Sequence, residues 1–323
     1  MKARNLFARL FALGVLATNF AGAQSYPEKP VRVIVPFPPG GAADIVARQI
    51  AQGLTTNLGA QFIVDNRGGA GGAIGTEAAG RAAPDGYTLL FASSSVLSIN
   101  PHLGIKAPYD VLRDFTPIAL MGFAPNVLVI HPSVPAKSVK ELIAISKSRP
   151  GALNYASNGA GTLSHLTAEL FMQRAAIKMV HIPYKGAAPA TIDTMAGNVS
   201  VLFAAYPSVS AQERSGRLRA LAVTSARRVA VAPHLPTVAE SALPAFESSQ
   251  WWGLYGPAAL PAAIVNRLNT ESNKVLKTPE VIKRLAADGA EPGGGTAQAL
   301  ADYHRADFEK WGKVVKAAGI KPE

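Results

Sequence analysis

The sequence predicts an α/β protein of two lobes, each a mostly parallel sheet flanked by helices, with a ligand cleft between the lobes. Strand-like and helix-like segments alternate along most of the chain, which is typical of parallel sheets covered by helices. The length of 323 residues favours two domains, because domains average about 150 residues. Two stretches, near Pro117–Ala124 and Glu247–Gly256, are suited to carry the chain between the lobes.

These two crossings define the expected domain boundaries. Lobe one is expected to be discontinuous and to comprise residues 24–120 and 250–323. Lobe two is expected to be continuous and to comprise residues 121–249. Two crossings make a hinge, and a cleft between hinged lobes is a common position for a small ligand.

The elements of lobe one follow from local pattern. Val46, Ile50 and Leu54 recur at helical spacing and Gly59 follows them, which predicts a helix with one buried stripe. The final 60 or so residues are expected to be helical, with Thr296 as an N-cap. The other expected elements are strands at 31–35, 61–64 and 87–92, a helix at 72–81 and a polar loop at 93–100.

Lobe two is expected to repeat the alternation. Ser138–Glu141 and Thr237–Glu240 each match the capping box that opens a helix. The remaining expected elements are strands at 126–130, 154–156, 178–182, 201–204 and 219–223, and helices at 138–148, 163–174 and 189–196.

The N-terminal 23 residues have the parts of a secretory signal peptide. Lys2, Arg4 and Arg9 form a positive start, residues 10–17 are apolar, and Ala21-Gly22-Ala23 fits the small-x-small cleavage rule. A membrane anchor is the alternative, but the apolar run is much shorter than the about 20 residues that a span needs. We expect residues 1–23 to be removed and the mature chain to lie in a bacterial periplasm.

The composition excludes several classes of site and partner. The absence of cysteine removes disulfides, thiolate metal sites and cysteine nucleophiles. The formal net charge is +11, but no run of five basic residues marks a nucleic-acid-binding track. The GxSxG, HExxH and P-loop patterns are missing, and the six histidines lack metal-ligand spacing. We therefore expect no enzyme, no cofactor, no metal and no nucleic-acid partner.

Two loops between a strand and a helix are the main site candidates. The first is PFPPGGAAD, residues 36–44, and the second is SNGAGTLSH, residues 157–165. Glycine lets a ligand approach backbone N–H groups, and the start of a helix is positively polarised, so each loop predicts an anion site. A plain glycine turn is the alternative for each. Two such helix starts that face one cleft would hold a small anion from both sides.

Other motifs carry weaker signals. The glycine run at 68–75 has GxGxxxG spacing rather than the dinucleotide pattern and lacks the acidic partner, so close packing of a helix is preferred. Ser93, Ser94 and Ser95 follow a strand, and their hydroxyls either point into the crevice or cap a helix. Beyond these, Lys185 is a candidate for direct contact with a carboxylate, and Tyr206 for an aromatic wall.

Four segments resemble the Bug family of periplasmic receptors. They are YPEKPVRVIVPFPPGGAADIVAR, VDNRGGAGGAIGTEAAGRAAPDGYTLL, LNYASNGAGTLSHLTAELF and HIPYKGAAPA, and the resemblance extends over essentially the whole mature chain. These receptors are the extracytoplasmic solute-binding components of tripartite tricarboxylate transporters. The resemblance implies a two-lobed periplasmic-binding-protein fold of the type II-like class that closes on one small ligand, usually a carboxylate.

The resemblance also implies the site residues. In the family, main-chain groups and ordered water of the two loops hold the ligand carboxylate, and Asp193 matches an acidic position that some members use. The matching residues are Phe37, Gly40, Gly41, Ala42 and Asp44 in lobe one, and Ser157, Asn158, Gly159, Ala160, Thr162 and His165 in lobe two.

Asp44 needs a separate explanation, because a carboxylate repels an anionic ligand unless it faces away. We expect Asp44 to stabilise the first helical turn, where negative charge is favoured. Contact with a substrate ammonium group is the alternative.

The expected partners are a small organic acid and the membrane permease subunits of such a transporter, with the receptor acting as a monomer. A sensory adaptor to a membrane kinase and a periplasmic enzyme acting on a carboxylate are the alternative functions. Di- or tricarboxylates, amino acids and aromatic acids all remain open as ligands.

Overall fold

The computed structural model describes residues 26–40, 42–104, 107–184, 186–287 and 289–320. Its strands are β1 Val31–Val35, β2 Phe62–Asn66, β3 Thr88–Ser93, β4 Phe115–Ile130, β5 Asn154–Ser157, β6 Val180–Pro183, β7 Val201–Ala205, β8 Arg219–Val223, β9 Ser249–Pro257 and β10 Glu291–Pro292. Its α-helices are α1 Ala42–Leu58, α2 Ala73–Gly80, α3 Val139–Ser148, α4 Leu163–Ala175, α5 Ala187–Met195, α6 Tyr206–Arg214, α7 Val238–Ser241, α8 Ala262–Leu276, α9 Pro279–Ala287 and α10 Ala297–Ala318.

The predicted α/β fold is confirmed. The strands follow the order β2-β1-β3-β9-β4-β7-β5-β6, with β8 and β10 also paired to β4. Three strands, β2, β1 and β3, form the parallel part of the sheet in lobe one, and β7, β5 and β6 form the parallel part in lobe two. Each lobe also contains antiparallel pairs, because β4 and β9 run against their neighbours. The sheets are therefore more mixed than the sequence predicts.

The long strand β4 joins the two lobes. Its residues 115–125 pair with β9 in lobe one, whereas residues 126–130 pair with β7 and β8 in lobe two. The chain returns to lobe one at the start of β9. The strand expected at 126–130 is thus only the last five residues of a 16-residue strand, and the division at 121 and 249 stays a prediction.

Buried polar side chains surround the crossing point. The Thr224 hydroxyl accepts from the Asn126 N–H at 2.9 Å and lies against the carbonyl oxygens of Asn126 and Ser248. The Ser248 hydroxyl in turn bonds to Thr167 of α4. Thr224, Ser248 and Thr167 are fully buried, so these bonds satisfy groups that water does not reach.

The helix α1 has the buried stripe that its spacing predicts. Val46, Ile50 and Leu54 are each 1% exposed and pack against Val33 of β1. The helix ends at Leu58, and Gly59 follows with a φ of 72°, a left-handed conformation that glycine adopts without strain.

The C-terminal helix α10 packs on both lobes. Its first half contributes Leu300 and Phe308 to a lobe-one cluster that contains Trp251. Its second half contributes Trp311 and Val314 to the lobe-two core. The helix therefore contacts both lobes, and the expected assignment of residues 250–323 to lobe one stays a prediction.

The segment after β3 differs from the expected polar loop. Residues 95–99 form one π-helical turn, and residues 100–103 form a 3₁₀ turn. Val96, Leu97 and Ile99 are buried, and the turn packs against α10. Within the described ranges, no helix is both long and apolar enough to cross a membrane.

Candidate functional site

The carboxyl ends of the parallel strands point towards each other across the middle of β4. In lobe one, Ser93 at the end of β3 pairs with Trp252, which pairs with Gly122 of β4. In lobe two, Ala205 at the end of β7 pairs with Asn126 of β4. Since β3 runs along β4 and β7 runs against it, the two strands end on facing sides of the crossing. Ligands of open α/β sheets bind outside such carboxyl ends.

Both candidate loops project from these facing ends. Phe37 follows β1, the parallel neighbour of β3, and Asn158 follows β5, the parallel neighbour of β7. The sheet topology therefore places each predicted anion loop after a parallel strand whose carboxyl end faces the crossing. Gly41 of the first loop lies outside the described residues.

Asp44 organises the first loop from within. It is 3% exposed, and its Oδ2 accepts the Gly40 N–H at 2.8 Å and the Arg48 Nε–H at 3.1 Å. Its Oδ1 accepts from the side chain of Asn66 at 2.9 Å, and the same Asn66 amide donates to the Phe37 carbonyl. The carboxylate is thus engaged by the chain itself, as expected for a residue that stabilises the start of α1.

These partners stabilise the ionised form of Asp44. Burial acts to raise its pKa, but the hydrogen bonds from Arg48, Gly40 and Asn66, together with the positive charge of Arg48, outweigh burial and lower the pKa below its ordinary value. A negative charge at this position also interacts favourably with the N-terminus of α1.

The remaining described positions of the first loop are open. Phe37 is half-buried against the lobe-one core, while Gly40 and Ala42 are exposed. Gly40 has a φ of 83°, and a Cβ there would meet no atom within 4 Å. In contrast, a Cβ on Gly75 would lie 2.5 Å from the Arg67 carbonyl oxygen. The glycine run at 68–75 therefore serves close helix packing, as the sequence favours.

Internal hydrogen bonds also shape the second loop. Ser164 accepts the Asn158 N–H at 2.8 Å, and Thr162 donates its hydroxyl to the Gly159 carbonyl at 2.7 Å. Thr162 is the N-cap residue of α4, yet its hydroxyl makes no capping bond to the helix. Ala160 is exposed at the tip. The first-turn amides of α4 are therefore not capped by this side chain and remain suited to an anion.

Two histidines support this loop from behind. The Gly161 N–H donates to Nδ1 of His165 at 3.0 Å, and Nε2 of His181 lies 2.6 Å from the Ser157 hydroxyl. The two imidazole rings stack with centroids 4.0 Å apart and an interplanar angle of 10°. His165 is a predicted site residue, whereas His181 is not.

The charge beside the histidines comes from Glu169. Its carboxylate accepts the Tyr155 hydroxyl, and Nε2 of His165 lies 3.6 Å away. Burial acts to raise the pKa of Glu169, but the contact with His165, the hydrogen bond from Tyr155 and the positive charge of the adjacent imidazoles outweigh burial and lower the pKa. Burial lowers the pKa of His181 to about 4, with His165 adding to the shift and Glu169 opposing it.

The three serines at the end of β3 differ in their hydrogen bonds. Ser94 accepts weakly from the Trp251 N–H at 3.5 Å, and Ser95 donates to Gln250 at 3.3 Å, so both face β9. The Ser94 side chain makes no capping bond to the turn that follows. The Ser93 hydroxyl, at the carboxyl end of β3, is buried and has no hydrogen-bond partner among the residues that the structure describes.

The other predicted side chains have structural partners. Asp193 of α5 accepts the Tyr184 hydroxyl at 2.6 Å, which fixes the segment after β6; burial first, and then Asp193, raise the pKa of Tyr184 to about 12. Tyr206 packs in a lobe-two core cluster and donates to Glu213 at 3.2 Å, so its ring is not an open wall. Lys185 lies outside the described residues.

The sequence reasoning missed the residues that hold the loops in place: Arg48, Asn66, Ser164, Glu169 and His181. Arg48 stands four positions after Asp44 in a predicted helix, a spacing that indicates contact. Asn66 and His181 gave no comparable signal, because only strand pairing brings them to the loops.

One serine–histidine contact lies at the second loop. Sequence patterns indicate no nucleophile with a base, yet the structure pairs Ser157 with His181. Ser157 is fully buried and its hydroxyl also contacts the Gly159 carbonyl and N–H, so the pair functions as a loop support. Among the described residues, no three His, Asp or Glu side chains gather as metal ligands.

Comparison with known proteins identifies relatives over nearly the whole chain. The profile of the tripartite tricarboxylate transporter family receptor, TctC, matches residues 46–320. The protein BugT of Bordetella pertussis is 40% identical over 300 residues, which cover 93% of this chain and 92% of BugT.

Two solved structures are also similar to this chain over most of its length. Rpa4515 of R. palustris, solved with adipate, is 35% identical with a TM-score of 0.74, covering 92% of this chain and 100% of that one. MatC from Rhodopseudomonas palustris, solved with bound malate, is 30% identical with a TM-score of 0.70, covering 90% of this chain and 100% of that one.

Proposed function

The chain belongs to the tripartite tricarboxylate transporter receptor family, and on that premise we propose that it captures a small organic carboxylate between its two lobes. The observation that supports the proposal is the register along β4, by which the parallel strands that precede the two loops end facing the crossing between the lobes. Two structurally similar relatives, solved with adipate and with malate, support a dicarboxylate as the ligand class.

The binding chemistry follows from the two loops. Neither loop contains an arginine, so backbone N–H groups and bridging water hold the carboxylates. A dissociation constant near 1 μM corresponds to about 8 kcal/mol. Several hydrogen bonds to charged oxygens at about 1.5–3 kcal/mol each, with apolar burial against Phe37, supply this amount.

The proposed site comprises the predicted residues of both loops, with Asp44 and His165 acting as supports rather than as ligand contacts. Both side chains are buried and engaged by the chain itself. Asp193 supports the neighbouring segment through Tyr184. Ligand binding closes lobe one onto lobe two. Lobe one comprises residues 24–120 and 250–323, and lobe two comprises residues 121–249.

The proposed setting is the periplasm. Residues 1–23 act as a signal peptide, and the mature monomer delivers its ligand to the permease subunits of a tripartite transporter without transforming it chemically. The family membership supports this role.

A thermal-shift screen tests the proposal. Purified mature chain is heated with adipate, malate, citrate, glutamate and phthalate, since a ligand that binds only the native state raises the melting temperature. We expect at least one dicarboxylate to raise it, and calorimetry to give one site per chain. No shift with any acid, in protein that carries no ligand from expression, contradicts the proposal.

A further inference from the structure

Three stacked rings lie directly behind the second loop. His181 of β6 stacks on His165 of α4 at 4.0 Å and on Tyr155 of β5 at 4.8 Å, with interplanar angles of 10° and 14°. Tyr155 is fully buried and His165 is 6% exposed. We call Tyr155, His165 and His181 the ring stack.

Both histidines of the ring stack hold the loop by hydrogen bonds. Nδ1 of His165 accepts the Gly161 N–H at 3.0 Å. Nε2 of His181 contacts the Ser157 hydroxyl, which lies 3.1 Å from the Gly159 carbonyl oxygen and 3.2 Å from the Gly159 nitrogen. The backbone of the candidate anion loop thus rests on two imidazoles.

The bond from Gly161 requires a neutral His165. A backbone N–H can only donate, so Nδ1 must present a lone pair, and the ring proton is on Nε2, facing Glu169 at 3.6 Å. An imidazolium carries protons on both nitrogens. Protonation of His165 therefore replaces the acceptor with a donor and breaks the bond to Gly161.

The surroundings make the pair sensitive to acid. Two positive rings 4.0 Å apart would repel each other, so the stack disfavours a state in which both rings are protonated. The charged groups near the stack are Glu169 on α4, 3.6 Å from His165, and Lys178, which lines the same groove as Glu169. Tyr155 faces the stack from β5 and donates to Glu169. Val314 and Ala317 of α10, which complete the groove, are uncharged.

We propose that His165 and His181 are positioning residues that hold the 157–162 loop in its ligand-binding form, and that the bond from Gly161 forms only while His165 is neutral, so that acid loosens the loop and weakens binding. The weakening of ligand binding by acid rests on the proposed function. The loosening of the 157–162 loop by acid is a property of the ligand-free chain and does not depend on it. A groove of about 620 Å³ lies beside Glu169, the carboxylate next to His165.

The first test needs no ligand. Nuclear magnetic resonance follows the Gly161 amide and the histidine rings of the mature chain between about pH 7.5 and about pH 4.5. We expect the Gly161 amide to shift with the same midpoint as His165, and to stay constant in His165→Asn, whose side-chain oxygen accepts near the Nδ1 position but does not titrate. A Gly161 amide that does not respond while His165 titrates overturns the proposal.

The second test measures binding. Calorimetry with adipate compares dissociation constants at about pH 7.5 and about pH 5 for the native chain and for His165→Asn/His181→Gln. Adipate itself gains protons over this range, and this affects both proteins equally. The ratio of the change in dissociation constant for the native chain to that for the double variant therefore reports the contribution of the two histidines. We expect the native chain to lose about tenfold more affinity than the double variant.

A matched control completes the design. His234→Gln changes an exposed histidine that pairs with Glu213, and we expect its pH profile to follow the native one. Parallel profiles for the native chain and the double variant overturn the inference. If adipate and the other acids fail to bind at all, the proposed function fails, and the Gly161 titration still decides whether the ring stack releases the loop.

Discussion

Ser93 and Ala205 end two strands that approach each other along β4, opposite Gly122 and Asn126, four positions apart. At about 3.3 Å per residue, this spacing separates the two strand ends by about 13 Å along the strand. The proposed ligand loops follow the parallel neighbours of these two strands. We propose that the ligand binds at this crossing.

Ala160→Leu should weaken ligand binding without affecting folding. Ala160 is exposed at the tip of the second loop, so a leucine there projects into the space meant for the ligand. We expect at least about a tenfold rise in the dissociation constant, or about 1.4 kcal/mol, measured by calorimetry, with an unchanged melting temperature. Gly41→Leu, at a position outside the described residues, should act in the same way.

The control for this change is Ala263→Leu, because Ala263 is exposed on α8 in lobe one. Its affinity should equal that of the native chain. Native affinity in Ala160→Leu would show that the tip of the second loop does not contact the ligand.

Asp44→Asn should destabilise the chain in a pH-dependent manner. The change removes the negative charge that accepts hydrogen bonds from Arg48 and the Gly40 N–H. We expect the free energy of unfolding to fall by about 1.5–3 kcal/mol near neutral pH. Since the folded-state pKa of Asp44 lies below its ordinary value of 3.8, the unfolded chain binds more protons. The stabilisation is therefore complete above that value and is lost as the pH falls through the folded-state pKa.

Urea unfolding at about pH 7 and about pH 3 measures this difference. Asp302→Asn, which changes an exposed carboxylate on α10, is the control and should have no effect at either pH. An equal loss for Asp44→Asn at both pH values would argue against a role for its charge.

Thr224→Val should destabilise the crossing between the lobes. Valine keeps the shape of threonine but leaves the buried Asn126 N–H without its partner at 2.9 Å. An unsatisfied buried donor costs about 1–3 kcal/mol, measurable as a lower urea midpoint. The control is Thr56→Val, whose exposed hydroxyl bonds within α1. Equal stability of the two variants would mean that water replaces the lost bond.

Trp311→Ala should separate the end of α10 from lobe two. Trp311 is fully buried in the core that contains Phe171 and Phe203, so truncation should cost about 3–5 kcal/mol. Trp311→Phe keeps most of the apolar surface and should cost less. Differential hydrogen exchange along α10 checks the location, and a loss below about 1 kcal/mol for the alanine variant would contradict the packing role.

The local elements could be predicted because their signals are local. The spacing of Val46, Ile50 and Leu54 gave α1, and the capping box of Thr237 and Glu240 is confirmed with both of its bonds. Thr296 likewise accepts the Ala299 N–H as the N-cap of α10. Each of these patterns depends on residues within one or two turns.

Long-range pairing explains most of what was not predicted. Pro117 and Pro125 discourage a strand assignment, yet both lie in β4, with a bulge after Pro117, because β9 pairs along this segment. The turns at 95–103 form because α10, two hundred residues later, covers Val96 and its neighbours. The support of the second loop by His181 depends in the same way on the pairing of β5 with β6.

A crystal structure of the mature chain with the acid that gives the largest thermal shift tests the central claim most directly. We expect one carboxylate between the loop at 36–42 and the loop at 157–162, contacting backbone N–H groups of both. A ligand bound elsewhere, or bound to one lobe alone with the other loop turned away, would contradict it.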